Sequence, residues 1–99
     1  MYVQQQTARK DDGNKSRIDL IEPEFLLGLG EVLGFGAEKY EENSWQNVEN
    51  AQNRYYAAAM RHLLAYRMGE TKDEESGRSH LEHAAANLMF LAHFEREAK

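Results

Sequence analysis

Apolar residues recur at three- and four-residue steps in three separate stretches of this chain, and nowhere do they keep the two-residue alternation of a half-buried strand. That periodicity restricts the fold to an all-α one. The only proline, Pro23, suits the first position of a helix, where its missing N–H would have no partner anyway. From there Phe25, Leu29, Val32, Leu33, Gly36 and Tyr40 lay one stripe along a first helix running to about Tyr40. A second helix is expected from about Ala51 to Met68, stopped at Gly69. A third starts at Ser79-His80-Leu81-Glu82, which has the spacing of a capping box, and carries Leu81, Ala84, Ala85, Leu88 and Ala92 to about Arg96. Residues 1–22 read as an extended, polar arm, and 23–99 as a single helical domain.

Four glycines, Gly28, Gly30, Gly34 and Gly36, fall inside the first helix, and each costs roughly 1 kcal/mol relative to alanine in a helix interior. Close packing against a neighbouring helix at Gly28 and Gly36 would compensate; a break near Gly34 is the alternative. Residues 43–50 read as a connecting loop with asparagines able to cap the helix that follows, and 69–79 as a polar, acidic loop.

Ninety-nine residues leave room for one domain, and a domain so small, with 29% charged residues, leaves apolar surface that association with further copies would cover. At least a dimer is expected. Seventeen acidic against twelve basic residues give a net charge of −5, which opposes the phosphate attraction behind nonspecific nucleic-acid binding. No run reaches the roughly 20 apolar residues of a membrane span, and the first residues lack the apolar core of a secretory signal, so a soluble protein of the cytoplasm is expected. With no cysteine, any metal chemistry falls to carboxylates, histidines and amides.

Several constellations could carry such chemistry. At about 100° per residue, His80, His83 and Asn87 share an arc of roughly 60° on the third helix. His62 lies on one face of the second helix with Tyr55, Ala59 and Tyr66, a core position where a bond to a tyrosine is expected. Arg54 and Arg61, seven apart, are nearly aligned and could grip phosphate oxygens bidentately. Glu38 to Glu42 and Glu70 to Glu75 place carboxylates three apart on two segments, the kind of oxygen-donor set that holds Mg2+ while leaving room for water and phosphate. Each has a plainer reading as buried histidines, surface ion pairs or a solvated acidic face. The chain has no Walker loop, dinucleotide-binding glycine motif, nucleophile elbow or His-Glu-x-x-His.

The ordered set Gly13-Asn14-Lys15-Ser16-Arg17-Ile18-Asp19-Leu20 with Pro23-Glu24, Phe35-Gly36-Ala37-Glu38-Lys39-Tyr40 with Asn43 and Trp45, Arg61-His62-Leu63-Leu64-Ala65, Gly69-Glu70, Asp73, Glu75-Ser76-Gly77 and His80-Leu81-Glu82-His83-Ala84 resembles a phage family. This is the dATP/dGTP pyrophosphohydrolase amino-terminal domain, distantly similar to the MazG-like all-α nucleoside triphosphate pyrophosphohydrolases. The resemblance spans residues 10–94 and implies a MazG-like helical oligomer that cleaves purine dNTPs to monophosphate and pyrophosphate with Mg2+, or Mn2+ in its place. Glu38-x-x-Glu41 and Glu70-x-x-Asp73 repeat the letters of the MazG-like metal-ligand pairs. On this reading Glu38, Glu70, Asp73 and Glu75 hold the metal, while Lys15, Arg17, Lys39 and Arg61 bind phosphate. Asn43, Trp45 and Asn87 meet the nucleotide, and His80 or His83, with Glu75, activates water. A noncatalytic helical module that binds nucleotide or protein is the rival expectation.

Overall fold

A computed structural model describes residues 13–98; the part of the expected arm in residues 1–12 lies outside them. The arm's second half is not wholly extended: a single 3-10 turn over Ile18–Leu20 is closed by Arg17 gripping Asp19 through two hydrogen bonds of 2.9 and 2.8 Å. Ile18, Leu20 and Ile21 stay exposed. Three helices follow, α1 over Pro23–Lys39, α2 over Ala51–Arg67 and α3 over His80–Glu97, with a second 3-10 turn over Ser44–Asn47. Among the described residues there is no strand, only one isolated bridge between Lys72 and Ser79. None of these helices is long and apolar enough to cross a membrane.

The local signals at the helix ends act in different ways. Pro23 opens α1 as expected. At the end of α2, Gly69 takes φ +101°, where a side chain would be strained, and the Gly69 and Glu70 N–H groups bond back to the Tyr66 and Ala65 carbonyls, each at 3.0 Å. This Schellman arrangement satisfies two carbonyls that the helix end would leave unpaired. At α3 the capping box is half built: Ser79 Oγ accepts from the Leu81 N–H at 3.0 Å, but Glu82 turns instead to Arg78. Asn50 precedes α2 in the left-handed region with no side-chain cap bond, and its Oδ1 accepts from Asn53 at 3.2 Å. The expected asparagine cap is therefore correct in position and not in contact.

α1 is continuous through all four glycines, so the alternative of a break near Gly34 does not occur. Gly28 has a packing reason, because a Cβ there would overlap the Glu82 carboxylate and approach Arg78, whose ion pair α1 crosses. Gly36 was expected to pack as closely, but nothing within 4 Å would meet a Cβ there or at Gly30 or Gly34.

α3 is the common support, packing against both α2 and α1. Ala51 and Ala59 of α2 and Ala84 and Ala86 of α3 are all buried, and small side chains let helix backbones approach closely. The two helices run antiparallel, so the pair has an aromatic end and a polar end. Trp45, Tyr55, Phe90 and Phe94 cluster at the first. His62 meets His80 and His83 at the second.

Candidate functional site

The acidic loop between α2 and α3 is a folded element rather than a solvated connector. Its two limbs are tied by His80 N–H to the Thr71 carbonyl at 2.9 Å and Asp73 N–H to the Arg78 carbonyl at 2.8 Å. The tip is closed by Gly77 N–H to the Asp73 carbonyl at 2.8 Å, with Gly77 at φ +74°. Asp73 Oδ2 also accepts from the Ser76 N–H at 2.9 Å. This folding-back sets Glu70 and Asp73 against the first turn of α3.

There the three histidines form one network. His62 Nδ1 lies 2.8 Å from His80 Nδ1, and His80 Nε2 lies 2.9 Å from Glu70 Oε1. A carboxylate only accepts, so the His80 Nε2–H donates to Glu70, and one proton lies between the two Nδ1 atoms. His83 Nε2 is 2.6 Å from Ser76 Oγ and 3.8 Å from Asp73 Oδ2, and its ring stacks on His62 with centroids 4.6 Å apart. His80 is only 5% exposed, so the network is centred on a buried imidazole, with the exposed Glu70 side chain at its outer end.

Burial, reinforced by neighbouring imidazoles, lowers the pKa of His62 below the ordinary histidine value. Burial also lowers that of His83, against the opposing pull of Asp73. Burial tends to raise the Asp73 carboxyl, yet the hydrogen bonds from Ser76 outweigh it and bring it below the usual carboxylate value. At neutral pH the arrangement is two uncharged imidazoles beside a carboxylate.

The network opens onto a cleft of about 1220 Å³. α1 contributes Lys39, α2 contributes Arg54, Arg61 and His62, the loops contribute Asn43, Asp73 and Glu75, and α3 contributes His83 and Asn87. Lys39 Nζ bonds Glu75 Oε2 at 2.6 Å, which holds the ammonium above its ordinary pKa. Arg54 reaches the Glu49 carbonyl at 3.3 Å. No salt bridge or side-chain hydrogen bond to Arg61 occurs among the described residues.

Of the residues expected at the site, Lys39, Asn43, Trp45, Arg61, Asp73, Glu75, His83 and Asn87 thus meet in one cleft. Others stand apart. Lys15 and Arg17 do not line it, Arg17 being held by Asp19. Glu38 borders a shallow depression with Phe35, Lys39 and Glu75. Glu70 and His80 do not line the cleft and are bonded to each other. Asn87, almost fully buried, donates to the His83 carbonyl one turn back in its own helix at 2.9 Å. Trp45 stacks on Phe90 at 4.6 Å and meets His93 and Phe94 edge-on, so its ring is already engaged by the protein. His62, expected to bond a tyrosine, bonds His80 instead, while Tyr66 is exposed.

The carboxylates expected to share a metal do not gather. Among the described residues the one group of three potential ligands within 4.8 Å of one another is His62, Asp73 and His80. Glu38, Glu70 and Glu75 are not in it.

Comparison with known proteins places the chain in a family. The profile described as dATP/dGTP diphosphohydrolase, N-terminal, matches residues 5–99. A Salmonella phage PMBT28 protein named dATP/dGTP diphosphohydrolase is 35% identical over 85 residues, covering 86% of this chain and 29% of the phage protein. The chain therefore spans under a third of the length of that relative. No solved structure matches it. The match along nearly its whole length shows that the chain belongs to the dATP/dGTP diphosphohydrolase N-terminal family.

Proposed function

We propose that the cleft binds a purine deoxynucleoside triphosphate and supports its hydrolysis to the monophosphate and pyrophosphate, in the cytoplasm of a phage-infected cell. The observation that carries this reading is the convergence of Lys39, Arg54 and Arg61 with Asp73, Glu75, His62 and His83 on one cleft. Guanidinium groups match phosphate oxygens in a planar fork, and they would neutralise charge that builds on the leaving pyrophosphate. His83, kept neutral by burial, lines the cleft, is held through Nε2 by Ser76, and would orient or deprotonate the attacking water. Asn43 stands in the same lining, in reach of a base.

The Mg2+ expected for this reaction does not fit as a resident ion on Glu38, Glu70, Asp73 and Glu75. Glu70 is taken up by His80 and Glu75 by Lys39, and the ligand group that includes Asp73 is completed by imidazoles rather than by the hard oxygens Mg2+ prefers. On this reading Mg2+, or Mn2+, enters as part of the substrate, the metal complex of the triphosphate.

Incubation with each of the four dNTPs and Mg2+, with products resolved by chromatography, tests the reading. Monophosphate and pyrophosphate from dATP or dGTP are expected. Intact nucleotide that stays bound would leave a sensor, and intact nucleotide that does not bind would leave an interaction module.

We also propose that the chain works as a homo-oligomer. No large side chain is completely buried among the described residues, while Leu27 is 72% and Leu88 53% exposed and three α1 glycines have open space before them. Light scattering is expected to give at least twice the chain mass of 11.4 kDa at micromolar concentration. A mass equal to one chain across the accessible range would refute it.

A further inference from the structure

The histidine network has the parts of a metal site of a different kind from the one the family resemblance implies. His62 from α2, Asp73 from the loop and His80 from the first turn of α3 each offer a ligand atom, all within 4.8 Å of one another. We propose that His62, Asp73 and His80 bind one divalent first-row transition-metal ion, with Glu70 as the carboxylate that orients His80.

Three observations support this independently of any nucleotide chemistry. The first is the pair of Nδ1 atoms 2.8 Å apart, two ring nitrogens close enough for one ion to engage both. A proton bridges the pair without metal, and an ion in place of that proton, beside the line between the nitrogens, needs the rings to part by only about half an ångström, since tetrahedral ligands at the usual zinc–nitrogen distance lie about 3.3 Å apart.

The second is the outer partner. Metal-bound histidine generally donates its other ring N–H to a carboxylate or carbonyl, which fixes the tautomer and strengthens the ligand. The 2.9 Å contact from His80 Nε2 to Glu70 supplies that bond, and the imidazole making it is buried. The Ser76 N–H fixes Asp73 from one side, and His83 stacks on the His62 ring, so the other two candidate ligands are held as well.

The third is the donor chemistry. Two imidazoles and one carboxylate suit zinc, cobalt or manganese, whereas Mg2+ takes oxygen ligands almost throughout. Because His62 and Asp73 also line the cleft, an ion on this site would have its remaining coordination positions on the cleft side, where water or a phosphate oxygen can reach it.

The test needs no nucleotide, so its outcome is separable from that of the hydrolysis assay. Chelator-stripped protein is titrated with Co2+ while visible absorption is followed. Equilibrium dialysis against Zn2+, Mn2+ or Mg2+ with elemental analysis then gives the stoichiometry. One Co2+ or Zn2+ per chain is expected at micromolar metal, with a visible cobalt band that millimolar Mg2+ does not displace. His62→Ala and Asp73→Asn should abolish binding, each checked for helix content by circular dichroism. Glu70→Gln, at an exposed side chain that cannot unfold the core, should weaken it by about 10- to 100-fold. Failure of the wild-type protein to retain Co2+ or Zn2+, or unchanged binding in both Asp73→Asn and Glu70→Gln, would overturn the proposal.

Discussion

Replacing Arg61 with alanine is expected to lower both the affinity for a nonhydrolysable dNTP and the kcat/KM for dATP or dGTP by about 10- to 100-fold. Hydrogen bonds to charged groups contribute about 1.5–3 kcal/mol, and each 1.4 kcal/mol is a factor of ten. The side chain is suited to that role because it lines the cleft and no carboxylate holds it among the described residues. Its exposure also predicts that stability changes by no more than about 0.5 kcal/mol, so lost binding would not reflect lost folding. Arg61→Lys should recover only part of the affinity, since an ammonium cannot make the two-pronged contact. Arg54→Ala should cost less, its guanidinium being partly engaged with the Glu49 carbonyl. Titration calorimetry beside steady-state kinetics reads all three variants. Wild-type affinity and rate in Arg61→Ala would mean that the phosphates lie elsewhere or that the cleft holds no nucleotide.

What could be read from the sequence follows the range of the interactions involved. Helix starts and stops are local: Pro23 opens α1, Gly69 ends α2 and Ser79 caps α3, each through contacts within a few residues. The alignment of Arg54 with Arg61, and of His80 with His83, is likewise set by helical spacing alone. The contacts that build the site are longer in range. His62 meets His80 only because the antiparallel register of α2 on α3 brings together residues 18 apart in the chain, and spacing along either helix carries no record of that register. The glycines show the same limit. Gly28 and Gly36 both lie on or beside one stripe, yet only Gly28 faces the Arg78–Glu82 pair. The loop misled for another reason. Its charge suggested solvation, while the backbone ties from Thr71 to His80 and from Asp73 to Arg78, which make it a structured element, leave no mark in composition. The core position of His62 on the second helix was the available clue, and it needed a partner face to be assigned.

Trp45→Ala is expected to lower stability by about 3 kcal/mol, in the range for removing a large aromatic side chain from a packed site. At roughly 4–8 °C per kcal/mol for a domain of this size, the melting temperature should fall by about 12–24 °C. The indole stacks on Phe90 at 4.6 Å with 21° between planes, meets His93 and Phe94 edge-on, and its backbone carbonyl accepts the Tyr55 hydroxyl at 3.0 Å. It thereby fastens the segment between α1 and α2 to the far end of α3, the segment that carries Asn43 into the cleft. Removing the ring should free that segment and widen the cleft, so nucleotide affinity falls as a consequence of lost packing. Trp45→Phe keeps an aromatic face for Phe90 and should restore most of the stability and, with it, most of the affinity. Thermal melts by circular dichroism, run beside nucleotide titrations below the melting range, separate this role from direct stacking on a base. A base platform would show the opposite pattern: Trp45→Ala melting within about 2 °C of wild type while binding is lost. That result would require the indole to leave Phe90 for the nucleotide, and would transfer Trp45 from the scaffold to the binding surface.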